Sequence, residues 1–351
     1  MALTETQLEY ISTSVEALGL SAEPIRPLRL RSLSHEHVRV ANHGVVRMPI
    51  ALPNEGHWTK WANFQAEAYG TLGRRNLSPR FFASLDSCPA LPNGGVLVEF
   101  VQGRLPRLPK DFPALARFLA KLHQLPPPPE DMCGLPYHSE PLLAAMQEIL
   151  QQARYLEEAP ITDGTRKLLE SELAWLEGFA QSGWVLMGAP PFGLTIGRAH
   201  PGDFLIDDAG EAVLLDVENL HYGLSILDVG ALSIYPATVW DMGVKAELTE
   251  TDVLDFNRHY LEALPNAYRT HYAPWLQVGR RIATLRLLTW ACMWLVRHRR
   301  PGDQWAADKR PPGIMTHMLT QARHFVSEPV VSALRSEWMR RDGLCAQINR
   351  L

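Results

Sequence analysis

The sequence predicts an α+β protein of two lobes, a small antiparallel β-rich lobe followed by a larger, mainly helical lobe. Short stretches with partial apolar alternation fill residues 26–50, separated by polar turns, which is typical of antiparallel strands. After Gly103 the apolar residues change to a helical period. The chain has 351 residues, 46% apolar and 21% charged, which is enough to bury a sizeable core.

The small lobe is predicted to occupy residues 1–98. It begins with a short amphipathic helix, and three strands are expected in "LRLRSL", "EHVRVA" and "GVVRMPI". The segment "WTKWANFQAEAYGTLGRR" then places four apolar side chains on one helical face, Trp61, Phe64, Ala68 and Leu72. The segment "GGVLVEFVQG" predicts a strand that leaves the sheet through a hinge at residues 99–104.

The helical lobe is predicted to occupy residues 105–351. Its first helix, in "DFPALARFLAKLHQLPPPP", has Asp111 as a plausible cap and ends at a proline run that cannot continue a helix. Helical patterns fill residues 140–158 and 163–182, a hairpin interrupts them, and further helical patterns follow. The hairpin is therefore expected to lie within the helical lobe.

Composition excludes several classes of function. A net charge of −4 and a pI near 6.4 give no overall basic surface for nucleic acid, so no nucleic-acid partner is expected. The apolar segment 287–296 is too short to cross a bilayer, so no membrane partner is expected. Four scattered cysteines and an N-terminus without a secretory pattern indicate a reduced, cytoplasmic protein.

The most informative stretch is "GLTIGRAHPGDFLIDDAGEAVLLDVEN", residues 193–219. It predicts a strand, a tight polar loop and a hairpin that ends on acidic residues. Many phosphate-transferring enzymes place a catalytic base and their metal ligands on such a loop. The residue at the expected position of the base is Arg198.

The order of these segments resembles the aminoglycoside phosphotransferase and choline kinase family, which has a protein-kinase-like fold. The resemblance covers roughly residues 26–300 and rests on the order of several weak motifs. "LARFLAKLHQLP" resembles the family's "LA-LHxLP" helix, and "LLDVENLHYGLSILDVGAL" resembles "LIDWExAxxGDPxxDLA". The resemblance implies an ATP-dependent phosphotransferase that uses Mg²⁺ and acts on a hydroxyl of a small metabolite or antibiotic.

The resemblance assigns the nucleotide site to both lobes. In "VVRMP", Arg47 stands at the position of the base that pairs with phosphate, and Glu67 of the next helix is its expected ion-pair partner. At the hinge, the backbone from Glu99 to Val101 is expected to bind the adenine. Asp228 corresponds to the acid that braces the catalytic loop.

The expected metal ligands are Asp203, Asp216 and Glu218. Phosphoryl transfer from a triphosphate needs a metal ion and cationic groups to neutralise dense negative charge. Acids on a rigid hairpin can hold that metal at octahedral distances. Asp203 and Asp216 are therefore predicted to face one another across the mouth of the hairpin, and repulsion should raise the pKa of one of them.

Two positions depart from the family pattern. The family loop reads "HGDxHPGN", whereas the matching residues here are "IGRAHPGD", so Arg198 replaces the base and Asp203 replaces an asparagine. A guanidinium cannot act as a base near neutral pH. The phosphate loop "SLSHE", residues 32–36, lacks the glycines that let backbone amides approach phosphates. His35 and His37 flank this position and are expected at the surface.

These departures leave alternatives open. Arg198 either neutralises Asp203 and Asp216 where a metal would lie or holds an anionic substrate. His200 is either a recruited general base or a structural loop histidine. The protein itself is a phosphotransferase with an altered loop, a catalytically inactive kinase-like protein (a pseudokinase) that binds a ligand or partner, or a transferase of another group. The sequence names neither the substrate nor the oligomeric state.

Overall fold

A computed structural model describes residues 4–28, 34–50, 52, 58–303, 305–307 and 310–351. The strands within these residues are β1 (Ile25–Leu28), β2 (His35–Val40), β3 (Gly44–Pro49), β4 (Phe81–Leu85), β5 (Gly95–Glu99), β6 (Gly103–Arg104), β7 (Phe192–Thr195), β8 (Phe204–Asp207), β9 (Ala212–Leu214) and β10 (His221–Leu224). The α-helices are α1 (Glu5–Ala17), α2 (Trp58–Gly73), α3 (Phe112–His123), α4 (Pro141–Ala153), α5 (Asp163–Gly178), α6 (Ile226–Ala231), α7 (Tyr235–Thr238), α8 (Glu250–Ala263), α9 (Asn266–Tyr272), α10 (Leu276–Arg297), α11 (Pro312–Phe325), α12 (Glu328–Met339) and α13 (Leu344–Ile348).

The small lobe is built on a five-stranded antiparallel sheet in the order β1-β2-β3-β5-β4. Successive side chains of a strand point to opposite faces of a sheet, and β3 and β5 follow this rule. Val45 and Val98 face the core that contains α2, whereas Val46 and Leu97 face a second core that contains Ile11 of α1. One helix therefore covers each face of the sheet.

The helical lobe is organised around α10, which packs against α4, α6 and α11. Most residues of α10 are buried, as expected for a helix that is covered on several sides. Gly230 allows the backbones of α6 and α10 to approach closely. A Cβ atom added at Gly230 would lie 2.9 Å from the carbonyl oxygen of Gly279.

Two small β-structures carry the loops of interest. Strand β8 pairs antiparallel with both β6 and β9, and β7 pairs antiparallel with β10. The loop of residues 196–203 joins β7 to β8, and the loop of residues 215–220 joins β9 to β10. Strand β6 forms the last two residues of the predicted hinge, and its pairing with β8 connects the hinge to these loops.

The predicted fold class is confirmed, because an antiparallel sheet precedes a helical region that carries the hairpin. One predicted element differs: the helix expected over residues 163–182 ends at Gly178 and continues as a wider π turn, Phe179–Gly183, where glycine weakens the α-helix. Of the predicted strand "LRLRSL", residues 29–33 lie outside the described residues. No helix of the described chain is long and apolar enough to span a membrane.

Candidate functional site

The site forms where the loop of residues 196–203 meets the loop of residues 215–220. The first loop ends in a one-turn 3₁₀ helix, Pro201–Asp203, directly before β8. The backbone N–H of Leu215 donates to the carbonyl oxygen of Asp203 at 2.8 Å. This bond fixes the first turn beside the acids that follow β9.

Asp228 of α6 braces the first loop from below, as expected. Its carboxylate is fully buried and accepts hydrogen bonds from the backbone N–H of Ile196 at 2.8 Å and of Gly197 at 3.2 Å. The Nε2 atom of His123 lies 3.4 Å from the same carboxylate. Charged acceptors make hydrogen bonds of roughly twice the usual strength, so Asp228 holds the loop rigid.

Gly197 is required at the turn of this loop. Its φ angle of +93° lies in the region that L side chains rarely adopt. A Cβ atom there would also lie 2.6 Å from the carbonyl oxygen of Asn219. The loop therefore combines a left-handed glycine with a close approach of the second loop.

His35 of the small lobe reaches across the cleft between the lobes to Glu218. Its Nε2 atom lies 2.7 Å from Glu218 Oε1, and its Nδ1 atom lies 3.1 Å from Ser34 Oγ. His35 is buried, which corrects the expectation that it lies at the surface. Burial would raise the pKa of Glu218, but the charges of His35 and Arg47 and hydrogen bonds from His35 and Ser34 hold it at about 2.

Asp216 lies beside this pair. One nitrogen of His35 and one oxygen each of Asp216 and Glu218 all lie within 4.8 Å of one another. Asp216 Oδ1 accepts the backbone N–H of Glu218 at 3.0 Å, which orients the carboxylate. Carboxylate oxygens suit Mg²⁺, and an added imidazole nitrogen also suits transition metals such as Mn²⁺ or Zn²⁺.

Asp203 is buried against the same acids. Its Oδ2 atom accepts the backbone N–H of His200 at 2.7 Å. Burial and then the charges of Asp216 and Asp241 raise the pKa of Asp203 well above its usual range. The raised pKa fits the prediction that Asp203 and Asp216 lie close enough to repel one another. A cation bound here would relieve that repulsion.

His200 is engaged through both ring nitrogens. Its Nδ1 accepts the backbone N–H of Gly202 at 3.1 Å, so a neutral ring carries its proton on Nε2, which lies 3.1 Å from Asp203 Oδ1. Burial lowers the pKa of His200, which favours this neutral form. The geometry favours the structural alternative, in which His200 orients Asp203, over the recruited base.

Arg47 does not pair with Glu67, so that prediction is wrong. The Nη1 of Arg47 donates to the carbonyl oxygen of Leu215 at 2.8 Å, and its Nη2 lies 4.0 Å from Asp216 Oδ2. Glu67 is exposed and accepts from Thr71 Oγ1 at 3.3 Å. Glu67 lies outside the buried face of α2, which packs against β4 and β5.

The polar residue on the inner face of α2 is Gln65, which the sequence analysis missed. It lies one turn from Trp61 and one turn from Tyr69, whose hydroxyl donates to the carbonyl oxygen of Leu215 at 2.7 Å. Gln65 is fully buried, and neither amide atom has a hydrogen-bond partner among the described residues. The sequence contained a signal for this position, because residues spaced i and i+4, such as Gln65 and Tyr69, lie on the same face of a helix.

Arg198 does not contact Asp203 or Asp216, so the predicted neutralisation of those acids is also wrong. Its Nη2 atom lies 3.1 Å from Glu148 Oε1 of α4. The Nη2 of Arg286 of α10 lies 2.7 Å from Glu148 Oε2. Although burial would raise the pKa of Glu148, the charges of Arg286 and Arg198 hold it at about 2.

At the hinge, Glu99 uses its side chain within the small lobe. Its carboxylate accepts from the guanidinium of Arg80, with Arg80 Nη2 2.9 Å from Glu99 Oε1. The backbone N–H of Glu99 donates to the carbonyl oxygen of Arg80 at 2.8 Å, and that of Phe100 donates to His43 at 2.7 Å. The N–H of Val101 makes no hydrogen bond within the described residues, so it is available for the proposed adenine contact.

The acids open onto a cavity of about 210 Å³ in the helical lobe, which we call the chamber. Its mouth is formed by the loop of residues 196–203 with Asp216 and Glu218, and its rear by apolar side chains of α6, α7, α10 and α11. Clefts and cavities that combine an apolar lining with a few convergent polar groups are typical sites for small molecules.

The fold and the site together define a protein-kinase-like protein, with a small antiparallel sheet, a hinge, a braced loop and acids that follow a hairpin. A model of the phosphotransferase enzyme family matches residues 38–275. The chain therefore belongs to the phosphotransferase enzyme family. No curated protein sequence matches it significantly.

Solved structures share this fold at low sequence identity. The GDP and kanamycin complex of an APH(2″)-IIIa enzyme is 16% identical with a TM-score of 0.59, covering 90% of this chain and 98% of that one. A choline kinase from Cryptosporidium parvum is 14% identical with a TM-score of 0.58, covering 94% and 99%. The ADP-bound aminoglycoside phosphotransferase APH(2″)-Ib is 15% identical with a TM-score of 0.55, covering 92% and 98%.

Proposed function

We propose that the protein transfers the terminal phosphoryl group of a nucleoside triphosphate, ATP, to a hydroxyl of a small molecule with the help of Mg²⁺. The observation that carries the proposal is the convergence of Asp203, Asp216 and Glu218 at the mouth of the chamber. Membership of the phosphotransferase enzyme family supports the reaction class. Nucleotides in the related structures, GDP and ADP, support the donor class.

The acids fit the requirements of a magnesium site. Their oxygens are the donors that Mg²⁺ prefers, and burial together with neighbouring acids disfavours the charged form of Asp203, a penalty that a bound cation would relieve. The ion would neutralise charge that develops on the triphosphate during transfer. Asp203, oriented by His200, would hold it together with Asp216. Arg47, buried behind Asp216, would add positive charge on the side of the small lobe.

No carboxylate occupies the position of the base, because Arg198 stands there. The acceptor oxygen forms the new bond to phosphorus, the bridging oxygen of the nucleoside diphosphate leaves, and the hydroxyl proton passes to water. Loss of a general base costs about 10²–10⁴ in rate. Phosphoryl transfer passes through a loose transition state, for which positioning and electrostatic stabilisation supply most of the rate enhancement. We therefore expect slow but measurable transfer.

A second candidate is a kinase-like protein that binds nucleotide or ligand without transfer. The ion pair between His35 and Glu218, at 2.7 Å, favours it, because this contact crosses the cleft where the phosphates would lie. In that case, the contact between the lobes would hold the cleft closed in the free protein.

Calorimetric titration of the full chain with ATP, with Mg²⁺ and with both separates these candidates. The phosphotransferase proposal expects ATP to bind more tightly with Mg²⁺ than without it. Release of ADP should then depend on an added alcohol. Binding of ATP without any turnover would support the second candidate. No binding of ATP or GTP at any Mg²⁺ concentration would refute both nucleotide-based proposals.

A further inference from the structure

We infer that the chamber accepts an uncharged, apolar alcohol with an aromatic or similarly broad apolar body. This inference rests on the proposed function, because it names the acceptor of the same site. It is carried by the lining of the chamber, which changes from acidic at the mouth to almost wholly apolar at the rear.

Three tryptophans form one wall of the chamber. Trp240 and Trp290 meet edge to face, with ring centroids 5.5 Å apart and an interplanar angle of 85°. Trp290 and Trp305 meet in the same manner, at 6.1 Å and 85°. Ile234, Leu287 and Met318 line the same cavity. Such a lining gains free energy by removing apolar surface of a ligand from water, at about 25 cal/mol per Å².

The charges around the chamber disfavour a cationic acceptor. Aromatic walls often bind cations, but the face of Trp305 already has the guanidinium of Arg310 5.1 Å from its centroid. Arg198 and Arg286 also line the chamber, and Glu148 is the carboxylate that pairs with both. One carboxylate cannot neutralise two guanidiniums, so this side of the chamber retains positive charge.

The carboxylates in the described lining of the chamber are those at its mouth, Asp203, Asp216 and Glu218. Glu218 is paired with His35, and Arg47 Nη2 lies 4.0 Å from Asp216 Oδ2, so a bound Mg²⁺ would leave little net negative charge at the mouth to attract a cationic acceptor. A polycation would then meet the guanidiniums and the indole rings without a compensating acid. An uncharged alcohol meets neither penalty.

The test uses the full chain with three probes: 2-(2-naphthyl)ethanol, choline and kanamycin. Saturation-transfer NMR and titration calorimetry measure binding, and mass spectrometry with ATP and Mg²⁺ measures phosphorylation. We expect the naphthyl alcohol to bind at least tenfold more tightly than choline or kanamycin. Its phosphate ester should form as an O–P bond replaces the terminal bridging bond of ATP, with release of ADP.

Two substitutions locate the binding in the chamber. Trp290→Leu should weaken binding of the naphthyl alcohol at least tenfold, and Ala231→Met, which fills the chamber, should weaken it similarly. Trp184→Leu is the matched control, because Trp184 lies outside the chamber and bonds its Nε1 to Ala180. Unchanged melting temperatures establish that the variants fold. If Trp290→Leu does not fold, Ala231→Met alone still tests whether the alcohol binds in the chamber.

The outcomes separate this inference from the proposed function. Tight binding of the naphthyl alcohol without its phosphorylation supports the ligand class and counts against the phosphotransferase proposal. Preferential binding and phosphorylation of kanamycin or choline overturns the inference and supports the proposed function. Binding of the naphthyl alcohol that survives both chamber substitutions, or no binding of any probe, also overturns the inference.

Discussion

At the two ends of one eight-residue loop, residues 196–203, the pKa values of buried acids are shifted in opposite directions. At the end near β7, Arg198 is matched by Glu148, and burial of the acid is offset by two guanidiniums that hold its pKa at about 2. At the end near β8, Asp203 is buried against Asp216, and its pKa is raised well above the usual range. Guanidiniums therefore favour the charged form of Glu148, whereas burial and neighbouring acids disfavour the charged form of Asp203.

This difference indicates where a ligand is needed. A buried charge with a good partner is stable without further help, whereas closely placed buried acids are destabilising until a cation binds. The position that lost the family's base has therefore acquired a local partner. At the proposed metal ligands, a bound cation would favour the charged form of the buried acids.

The largest effect on phosphoryl transfer should follow from removing one of the acids near β8. Asp216→Asn removes a proposed ligand of Mg²⁺, which supplies several kcal/mol of transition-state stabilisation, so transfer should fall about 10³-fold or more. Stabilisation of the fold by Mg²⁺ with ATP, measured by thermal shift, should disappear. Asp208→Asn, an exposed change on the same hairpin, serves as the control. Full activity of the Asp216 variant would remove it from the site.

An acid at position 198, near β7, should raise the rate of phosphoryl transfer. Arg198→Asp places a carboxylate where related proteins have the base, and a general base contributes about 10²–10⁴ in rate, so we expect a gain of about 10²-fold. Arg198→Asn has nearly the same shape without the charge and should give no such gain. If the wild-type protein turns over ATP and both variants abolish it, Arg198 itself contacts the reacting groups.

The pairing of Arg198 with Glu148 predicts a pH-dependent stability. The pKa of Glu148 is lowered from 4.5 to about 2, so its stabilisation is present above pH 4.5 and is lost as pH falls toward 2. Glu148→Gln should reduce the free energy of unfolding at pH 7 by about 1–3 kcal/mol. Urea denaturation at pH 7 and pH 3 should show that the difference between variant and wild type narrows in acid.

Glu158→Gln is the control for that experiment, because Glu158 forms an exposed pair with Arg300 at 2.9 Å. Exposed pairs contribute about 0–1 kcal/mol, so the control should change stability little at either pH. A difference for Glu148→Gln that stays constant between pH 7 and pH 3 would contradict the assigned ion pair.

The smallest effect should come from Glu67. Because Glu67 is exposed and its hydrogen bond is to Thr71 and not to Arg47, Glu67→Gln should change stability by less than about 0.5 kcal/mol and leave ATP affinity unchanged. Gln65→Met, two residues away on the buried face of α2, should raise the free energy of unfolding by about 1 kcal/mol, since it removes an unpaired buried amide. A loss of ATP affinity in Glu67→Gln would support the expectation that Glu67 pairs with Arg47 at the nucleotide site.

The sequence by itself determined the fold class and the positions of the loop acids. Apolar periodicity separates strands from helices locally, and the motif "AHPG" fixes the register of Asp203 within its loop. Asp228 was likewise placed correctly, because it lies at a fixed spacing from Asp216 along the short segment that runs through β10 into α6. These features depend on local chain geometry, which the residue pattern records.

The tertiary structure alone decided which charges meet. Arg198 and Glu148 are 50 residues apart, and Arg47 and the carbonyl of Leu215 that it contacts are 168 residues apart. Such pairs depend on how α4, α10 and the small lobe pack, and several acids compete for each guanidinium. His35 follows the same rule, since only the closure of one lobe on the other brings it to Glu218. A single sequence records which charges exist, whereas packing selects their partners.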